Sequence, residues 1–286
     1  MKIELECFPC LFNQLNRTLK LITDDKFKIK EIIDEMGIRL KNINFDMSPP
    51  EAGAILYSLI NERLKIKDPY QNIKKESIKL GIKLYPELKK QVEESEDRLL
   101  ESVKIAIAGN IIDFGAQEEF DIQKELLKIK DEEFNLSDYN RFKDKIKDSN
   151  QILVIGDNAG ETVFDRILLE EFKDKKIIYA VRGFPTINDA TREDAIASGI
   201  DKLANIITTG SNIPGVVINK TSEEFNDYFY NSDIVISKGQ GNYETLSEID
   251  RDIFFLFKIK CSVVSNKLDL PIGESILRYK TLKIEQ

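Results

Sequence analysis

Gln151-Ile152-Leu153-Val154-Ile155-Gly156-Asp157-Asn158-Ala159-Gly160-Glu161 joins an uninterrupted apolar run to a polar, glycine-bounded turn. An apolar run without polar alternation predicts a strand buried on both faces, as in the parallel sheets of α/β proteins. The following Thr162-Val163-Phe164-Asp165-Arg166-Ile167-Leu168-Leu169 has the period of a helix. Open α/β sheets keep their chemistry outside the C-terminal ends of their strands. The turn therefore delivers the Asp157 carboxylate and the Asn158 amide oxygen to a crevice beside a helix N-terminus. An oxygen-rich site for a hard cation is the first expectation.

Working outward, further short apolar runs lie at Ile177 to Val181, Ile206 to Thr208, Ile234 to Ser237 and Ile253 to Phe257, with helical segments between most of them. Strands separated by helices predict a parallel sheet with right-handed crossovers. Upstream the pattern is helical. Leu11, Leu15, Leu19 and Ile22 share one face, and Ala52, Ile55, Leu56, Leu59 and Ile60 share another behind Pro49-Pro50. Asp68-Pro69-Tyr70 reads as a turn or helix start, and one long amphipathic segment is expected from about Val92 to Ala108 before Gly109-Asn110 breaks it. The fold class is thus α/β: a helical N-terminal subdomain over residues 1–145 and an α/β domain over 146–286, packed as one body.

Composition narrows the chemistry. The chain has 286 residues, 42% hydrophobic and 32% charged, with a formal net charge of -8. That acidity argues against a nucleic-acid partner and favours small molecules. No apolar stretch approaches a membrane span, and acids near Met1 where a signal peptide would be cationic and then apolar place the chain in the cytoplasm by expectation. Histidine is absent. Ser-His hydrolases, His-ligated zinc enzymes and histidine phosphatases are thereby excluded. Ligands must come from oxygen-bearing side chains, which favours Mg²⁺ or Mn²⁺.

Three more clusters fall at expected strand ends. Arg182-Gly183-Phe184-Pro185-Thr186-Ile187-Asn188-Asp189-Ala190-Thr191 follows one run, Lys238-Gly239-Gln240-Gly241-Asn242-Tyr243-Glu244 another, and Lys258 and Lys260 precede Cys261 after the last. The glycines would let backbone N–H groups approach an anion beside the lysine charge. Acids on two strand ends and lysines on two others bring a divalent cation and a phosphate to one crevice. Each piece has a plainer reading: a tight turn for Gly156 to Gly160, a helix N-cap for Asn188-Asp189, an ordinary loop after Lys238, a solvated side chain for Lys260. Cys7-Phe8-Pro9-Cys10 opens a helix, and with only Cys261 left it cannot complete a zinc site within one chain. Two idle or buried thiols are expected there.

The ordered set resembles the metal-dependent damage-control phosphatase family, long catalogued as domain of unknown function eighty-nine. Cys7-Phe8-Pro9-Cys10, Asp68-Pro69-Tyr70 and Ala108-Gly109-Asn110-Ile111-Ile112-Asp113-Phe114-Gly115 look like its compact prokaryotic branch. The resemblance implies a helical N-terminal region on a Rossmann-like three-layer α/β/α domain. It implies one divalent ion, Mn²⁺ or Mg²⁺ with Co²⁺ or Ni²⁺ as alternatives, held by Asp157, Asn158 and Asp189. Lys238 and Lys260 would contact phosphate and, with Asp157, carry catalysis. Arg182, Gly239 and Asn242 would join them in holding the substrate, and Asn110 and Asp113 would lie near it. The implied activity is hydrolysis of phosphate monoesters of small metabolites, including sugar phosphates and damaged or side-product metabolites.

A cation held in this way would polarise the phosphoryl group and lower the pKa of water, so either a water or Asp157 is the attacker, with water the expectation. An S-adenosylmethionine-dependent methyltransferase and a non-catalytic binder of a phosphorylated metabolite are the readings from other classes. Gly156 and Gly160 lack the dinucleotide-loop spacing, and lysines at the crevice suit phosphate better.

Overall fold

The computed structural model describes residues 1–109, 126–127 and 129–280. Five helices come first: α1 (Cys7–Ile22), α2 (Lys26–Arg39), α3 (Pro49–Leu64), α4 (Gln71–Glu94) and α5 (Arg98–Ala108). The remainder runs β1 (Phe134–Asn135), α6 (Tyr139–Asp148), β2 (Gln151–Ile155), α7 (Thr162–Leu169), β3 (Lys176–Val181), α8 (Arg192–Ala197), β4 (Asn205–Thr208), α9 (Glu223–Asn231), β5 (Ile234–Lys238), α10 (Gln240–Leu246), β6 (Ile253–Lys258), α11 (Ser262–Leu268) and β7 (Ser275–Lys280).

Local chemistry sets the helix starts. Ser48 and Glu51 form a reciprocal capping box ahead of Pro49, whose missing N–H costs nothing in a first turn. The segment expected as one amphipathic stretch from Val92 to Ala108 is instead two helices. Asp97 caps the second by accepting from the Leu100 N–H at 3.2 Å, and such a cap competes with helix continuation. Pro86 stands inside α4, where proline costs about 3 kcal/mol. Fully buried Leu84, Leu88 and Val92, each stabilising by about 1.5–3 kcal/mol, outweigh it.

The strands form one sheet in the order β1-β7-β6-β5-β2-β3-β4. β2 pairs in parallel with both β3 and β5, and β3 with β4 and β5 with β6 extend this on either side. β7 runs antiparallel to β6, and β1 pairs in parallel with β7. The five expected runs are all strands; β1 and β7 add an edge that the apolar pattern did not announce. β1 also brings a piece of the sheet from before residue 146.

Strand side chains alternate between two cores. Ile152, Val154, Ile177, Tyr179, Ile236 and Phe254 pack with α4, α5, α6 and α7 on one face. Leu153, Ile155, Ile178, Val235 and Phe255 pack with α9, α10 and α11 on the other. The α4–α5 pair is therefore an outer layer of the sandwich, while α1, α2 and α3 close on a separate small core around Leu15, Leu19, Met36 and Leu56. Among the described residues no helix is long and apolar enough to cross a membrane. The chain leaves β2 toward β3 and β4, then returns to β5 and β6 on the opposite side. That reversal opens a crevice beyond the carboxyl ends of β2 and β5.

Candidate active site

Backbone pairing at the tips of β2 and β3 builds the site. Past the strand ends, Asn158 and Asp189 form an antiparallel bridge. The Ala190 N–H donates to the Asp157 carbonyl at 2.7 Å, and the Ala159 N–H to the Asn188 carbonyl at 2.8 Å. The same loop returns to β3, where the Arg182 N–H donates to the Ala190 carbonyl at 2.9 Å. Residues 157–158 and 189, distant in sequence, are thus locked side by side.

Arg182 then joins the two carboxylates. Its Nε donates to Asp189 Oδ2 at 2.6 Å, Nη2 donates to Asn242 Oδ1 at 3.0 Å, and Nη2 lies 3.9 Å from Asp157 Oδ1. The guanidinium is 1% exposed, and its Nη1 has no hydrogen-bond partner among the described residues. Asn158 donates its amide nitrogen to Asp157 Oδ2 at 3.2 Å and to Glu161 Oε1 at 2.5 Å, which leaves the amide oxygen without a partner among the described residues. Two carboxylates and that amide oxygen are hard donors of the kind Mg²⁺ and Mn²⁺ prefer.

Electrostatics agree with that donor set. Burial, then the charge of Asp189, pushes the Asp157 carboxyl upward, with Lys260 and Arg182 pulling the other way. Burial likewise raises Asp189 against Arg182, and raises Glu161 against Lys238. The crevice holds more buried carboxylate than its own cations neutralise, a state that a bound cation would relieve.

The lysines take different places. Burial alone would lower the Lys238 ammonium, but Asp165 and Glu161 outweigh it and hold the pKa above its ordinary value. Lys238 Nζ donates to Asp165 Oδ1 at 2.5 Å, to the Ala106 carbonyl at 2.8 Å and to Glu161 Oε2 at 3.4 Å. All three donors are used, so this side chain ties α5 to the sheet rather than reaching out to a phosphate. Asp165 also accepts from the Tyr179 hydroxyl at 2.6 Å. Lys260 is exposed, and its ammonium makes no hydrogen bond or ion pair with a described residue, yet its charge acts on Asp157, Glu161 and Asp189 alike. Among the described residues it is a free cation at the mouth.

The loop after β5 also differs from the anion cradle expected of its glycines. The Gly239 N–H is already spent on the Leu256 carbonyl at 3.1 Å, and its φ is +80°. A Cβ at Gly241 would lie 2.4 Å from the Pro214 carbonyl oxygen, so that glycine serves packing. Asn242 is fully buried; its amide nitrogen donates to the Lys238 carbonyl at 2.7 Å and the Gly156 carbonyl at 3.2 Å while its oxygen holds Arg182. It braces the site instead of facing a substrate. Asn110 and Asp113 lie outside the described residues.

Several residues here carried no role in the sequence reading: Asp165, Tyr179, Gln240 and Glu244, with Glu161 quoted only as part of its turn. A charge inside the apolar pattern of α7, one helical turn after Glu161, was the available signal for Asp165. The thiols stay free, with Cys7 and Cys261 half-buried and Cys10 exposed.

The switch point of this doubly wound α/β sheet thus gathers two carboxylates, an amide oxygen and a lysine with no partner among the described residues. Comparison with known proteins sets the chain within one family: residues 3–276 match the damage-control phosphatase ARMT1-like domain, and the chain belongs to that family. It is 34% identical to a damage-control phosphatase of Pyrococcus horikoshii, covering 99% of this chain and 100% of that one. A damage-control phosphatase of Archaeoglobus fulgidus is 31% identical over 97% of this chain and 99% of its own. A protein of Methanocaldococcus jannaschii is 35% identical over 97% and 95% respectively. The crystal structure of a DUF89 family protein from P. horikoshii superposes with a TM-score of 0.89 at 33% identity, covering 97% of this chain and 98% of that one. The helical region and mostly parallel sheet are thus shared with a solved relative.

Proposed function

We propose that this chain is a metal-dependent phosphatase that hydrolyses phosphate monoesters of small metabolites, sugar phosphates or damaged phosphometabolites among them. The observation that carries the reading is the convergence of Asp157 and Asp189 on Arg182, beside an Asn158 amide oxygen with no partner among the described residues. Asp157, Asn158 and Asp189 would hold one Mn²⁺ or Mg²⁺, which supplies charge neutralisation and a more acidic water. Lys260 draws the phosphoryl group to the mouth and offsets its charge. Arg182, buried with them, holds the two carboxylates side by side. Lys238, engaged by Asp165 and Glu161, positions the carboxylates. Water attacks phosphorus, because an Asp157 carboxylate bound to a cation is a weak nucleophile.

The test strips the protein of metal, re-supplies Mn²⁺, Mg²⁺, Co²⁺ or Ni²⁺, and measures phosphate release from a panel of monoesters. Turnover with cation only, abolished by Asp157→Asn, is expected. Tight ligand binding with no release across the panel would make the chain a binder, and stabilisation by S-adenosylmethionine without any by cation plus phosphate would favour a methyltransferase. A trapped aspartyl-phosphate would move the attack to Asp157.

A further inference from the structure

The cap formed by α1, α2 and α3 carries a polar cluster that neither the cation site nor the sheet uses. Gln14, Arg17 and Thr18 share one side of α1 by helical spacing. The buried Thr18 hydroxyl lies 2.8 Å from the hydroxyl of Tyr70, the residue ahead of α4, and also donates to the Gln14 carbonyl at 2.9 Å. From α3, the Tyr57 hydroxyl donates to Gln14 Oε1 at 3.3 Å. Two tyrosines from separate elements are therefore fixed against one face of α1.

Arg17 stands exposed on that face and has no hydrogen bond or ion pair with any described residue. Arg39, Arg63, Arg98 and Arg166, by contrast, are each matched to a glutamate. Helical spacing sets Arg17 on the side of α1 where Gln14 and Thr18 meet the two tyrosines, and its charge acts on both hydroxyls.

The cluster adjoins the crevice. Ile187, two residues before Asp189, packs against the α1–α3 core, and α3 rests on α10 with Pro50 beside Gly241. Burial is the main cause that raises the Tyr57 hydroxyl, but the Asp189 carboxylate adds to it, so the tyrosine lies within that carboxylate's field. Because Tyr57 already donates to Gln14, the unspent donors of the cluster are those of the Arg17 guanidinium. A planar guanidinium fork matches carboxylate or phosphate, and a neutral polyol would leave its charge unanswered.

We propose that Arg17, on the face of α1 that the Gln14, Thr18, Tyr57 and Tyr70 hydrogen bonds fix, forms a second anion subsite, so that the preferred substrates are phosphate monoesters bearing another anionic group, a carboxylate or a second phosphate, away from the ester that is cleaved. This rests on the phosphatase reading and adds the substrate class to it.

The test uses the full chain loaded with Mn²⁺ and three matched compounds: a sugar monophosphate, its bisphosphate and its phosphorylated sugar acid. Wild type is expected to favour one or both doubly anionic compounds by about tenfold or more in kcat/KM, and the better of the two identifies the second group. Arg17→Gln is expected to erase that preference through KM with the melting temperature unchanged. Calorimetric binding of the same compounds to both proteins gives a readout that needs no turnover. Equal affinities for singly and doubly anionic compounds in wild type, or a preference that survives Arg17→Gln, would overturn the subsite. Absence of phosphate release from all three with an intact, Arg17-dependent binding preference would instead sink the phosphatase reading and leave the subsite standing.

Discussion

Gly239 keeps open the space that Asp157 occupies: a Cβ at Gly239 would fall 2.1 Å from Asp157 Oδ2. The turn after β5 and the turn after β2 therefore fit together only when one of them lacks a side chain. At φ +80° and ψ 153°, Gly239 lies in a region open essentially to glycine alone, which adds strain of about 1–3 kcal/mol for any L residue. Gly239→Ala is expected to displace the carboxylate and to cut cation affinity and turnover by tenfold or more while the far-ultraviolet circular dichroism stays that of the wild type. Unchanged Mn²⁺ titration in this variant would show that Asp157 is not a ligand.

Arg182 meets Asp189 and Asn242 with separate nitrogens and lies near Asp157 with one of them. Removing one partner of a buried ion pair strands the other, at a cost of about 3–5 kcal/mol. Arg182→Ala should lose stability of that order in urea unfolding of the metal-free protein. Lysine cannot span the same acceptors, so Arg182→Lys should recover little of it. A full recovery by lysine would mean that charge alone, without the fork, holds the loop.

Gln240 links Glu244 to the segment that carries Lys260. Its amide nitrogen donates to Glu244 Oε1 at 2.8 Å, and its oxygen accepts from the Lys260 N–H at 2.8 Å. Each such bond contributes about 0.5–1.5 kcal/mol. Gln240→Ala is expected to raise KM several-fold and weaken inhibition by inorganic phosphate, with Mn²⁺ affinity unchanged. A fall in Mn²⁺ affinity would place its effect on the carboxylates instead.

Burial raises the Glu244 carboxyl from 4.5 to about 7, against the hydrogen bond from Gln240. A carboxyl raised in the folded state binds its proton more tightly there than in the unfolded chain. Its contribution is complete below about pH 4.5 and is lost as pH rises through about 7. Glu244→Gln keeps an acceptor for Gln240 and removes the titration. The variant should match wild type near pH 5 and exceed it by about 1–3 kcal/mol at pH 8. Parallel stability curves across that range would show that Glu244 is not buried as a charge.

The strands around the crevice were legible because their residues face apolar cores on both sides, so Ile152 to Ile155 and Ile234 to Ser237 needed no partner to be recognised. β7 and β1 were not: Leu277 is buried while Arg278, Tyr279 and Lys280 are half-exposed, and a two-residue strand such as Phe134–Asn135 has no period at all. Asp157, Asn158 and Asp189 were expected at one crevice because polar residues just past buried parallel strands gather there, and the structure brings the three together. The direction in which a polar side chain points is another matter. Lys238 and Lys260 look alike in sequence, yet one is fully buried among acceptors and the other stands free at the mouth.

The sequence by itself determined the parallel core, the helical N-terminal half and the positions of the oxygen donors, since apolar periodicity and strand-end placement are local properties of the chain. Only the tertiary structure decided that Arg182 spans two carboxylates, that Asn242 and Lys238 are enclosed among acceptors, and that Tyr57 and Tyr70 meet Gln14 and Thr18 across α1. Those facts depend on contacts between residues far apart in the chain, and burial, which assigns each polar group its partner, exists only once the layers have closed.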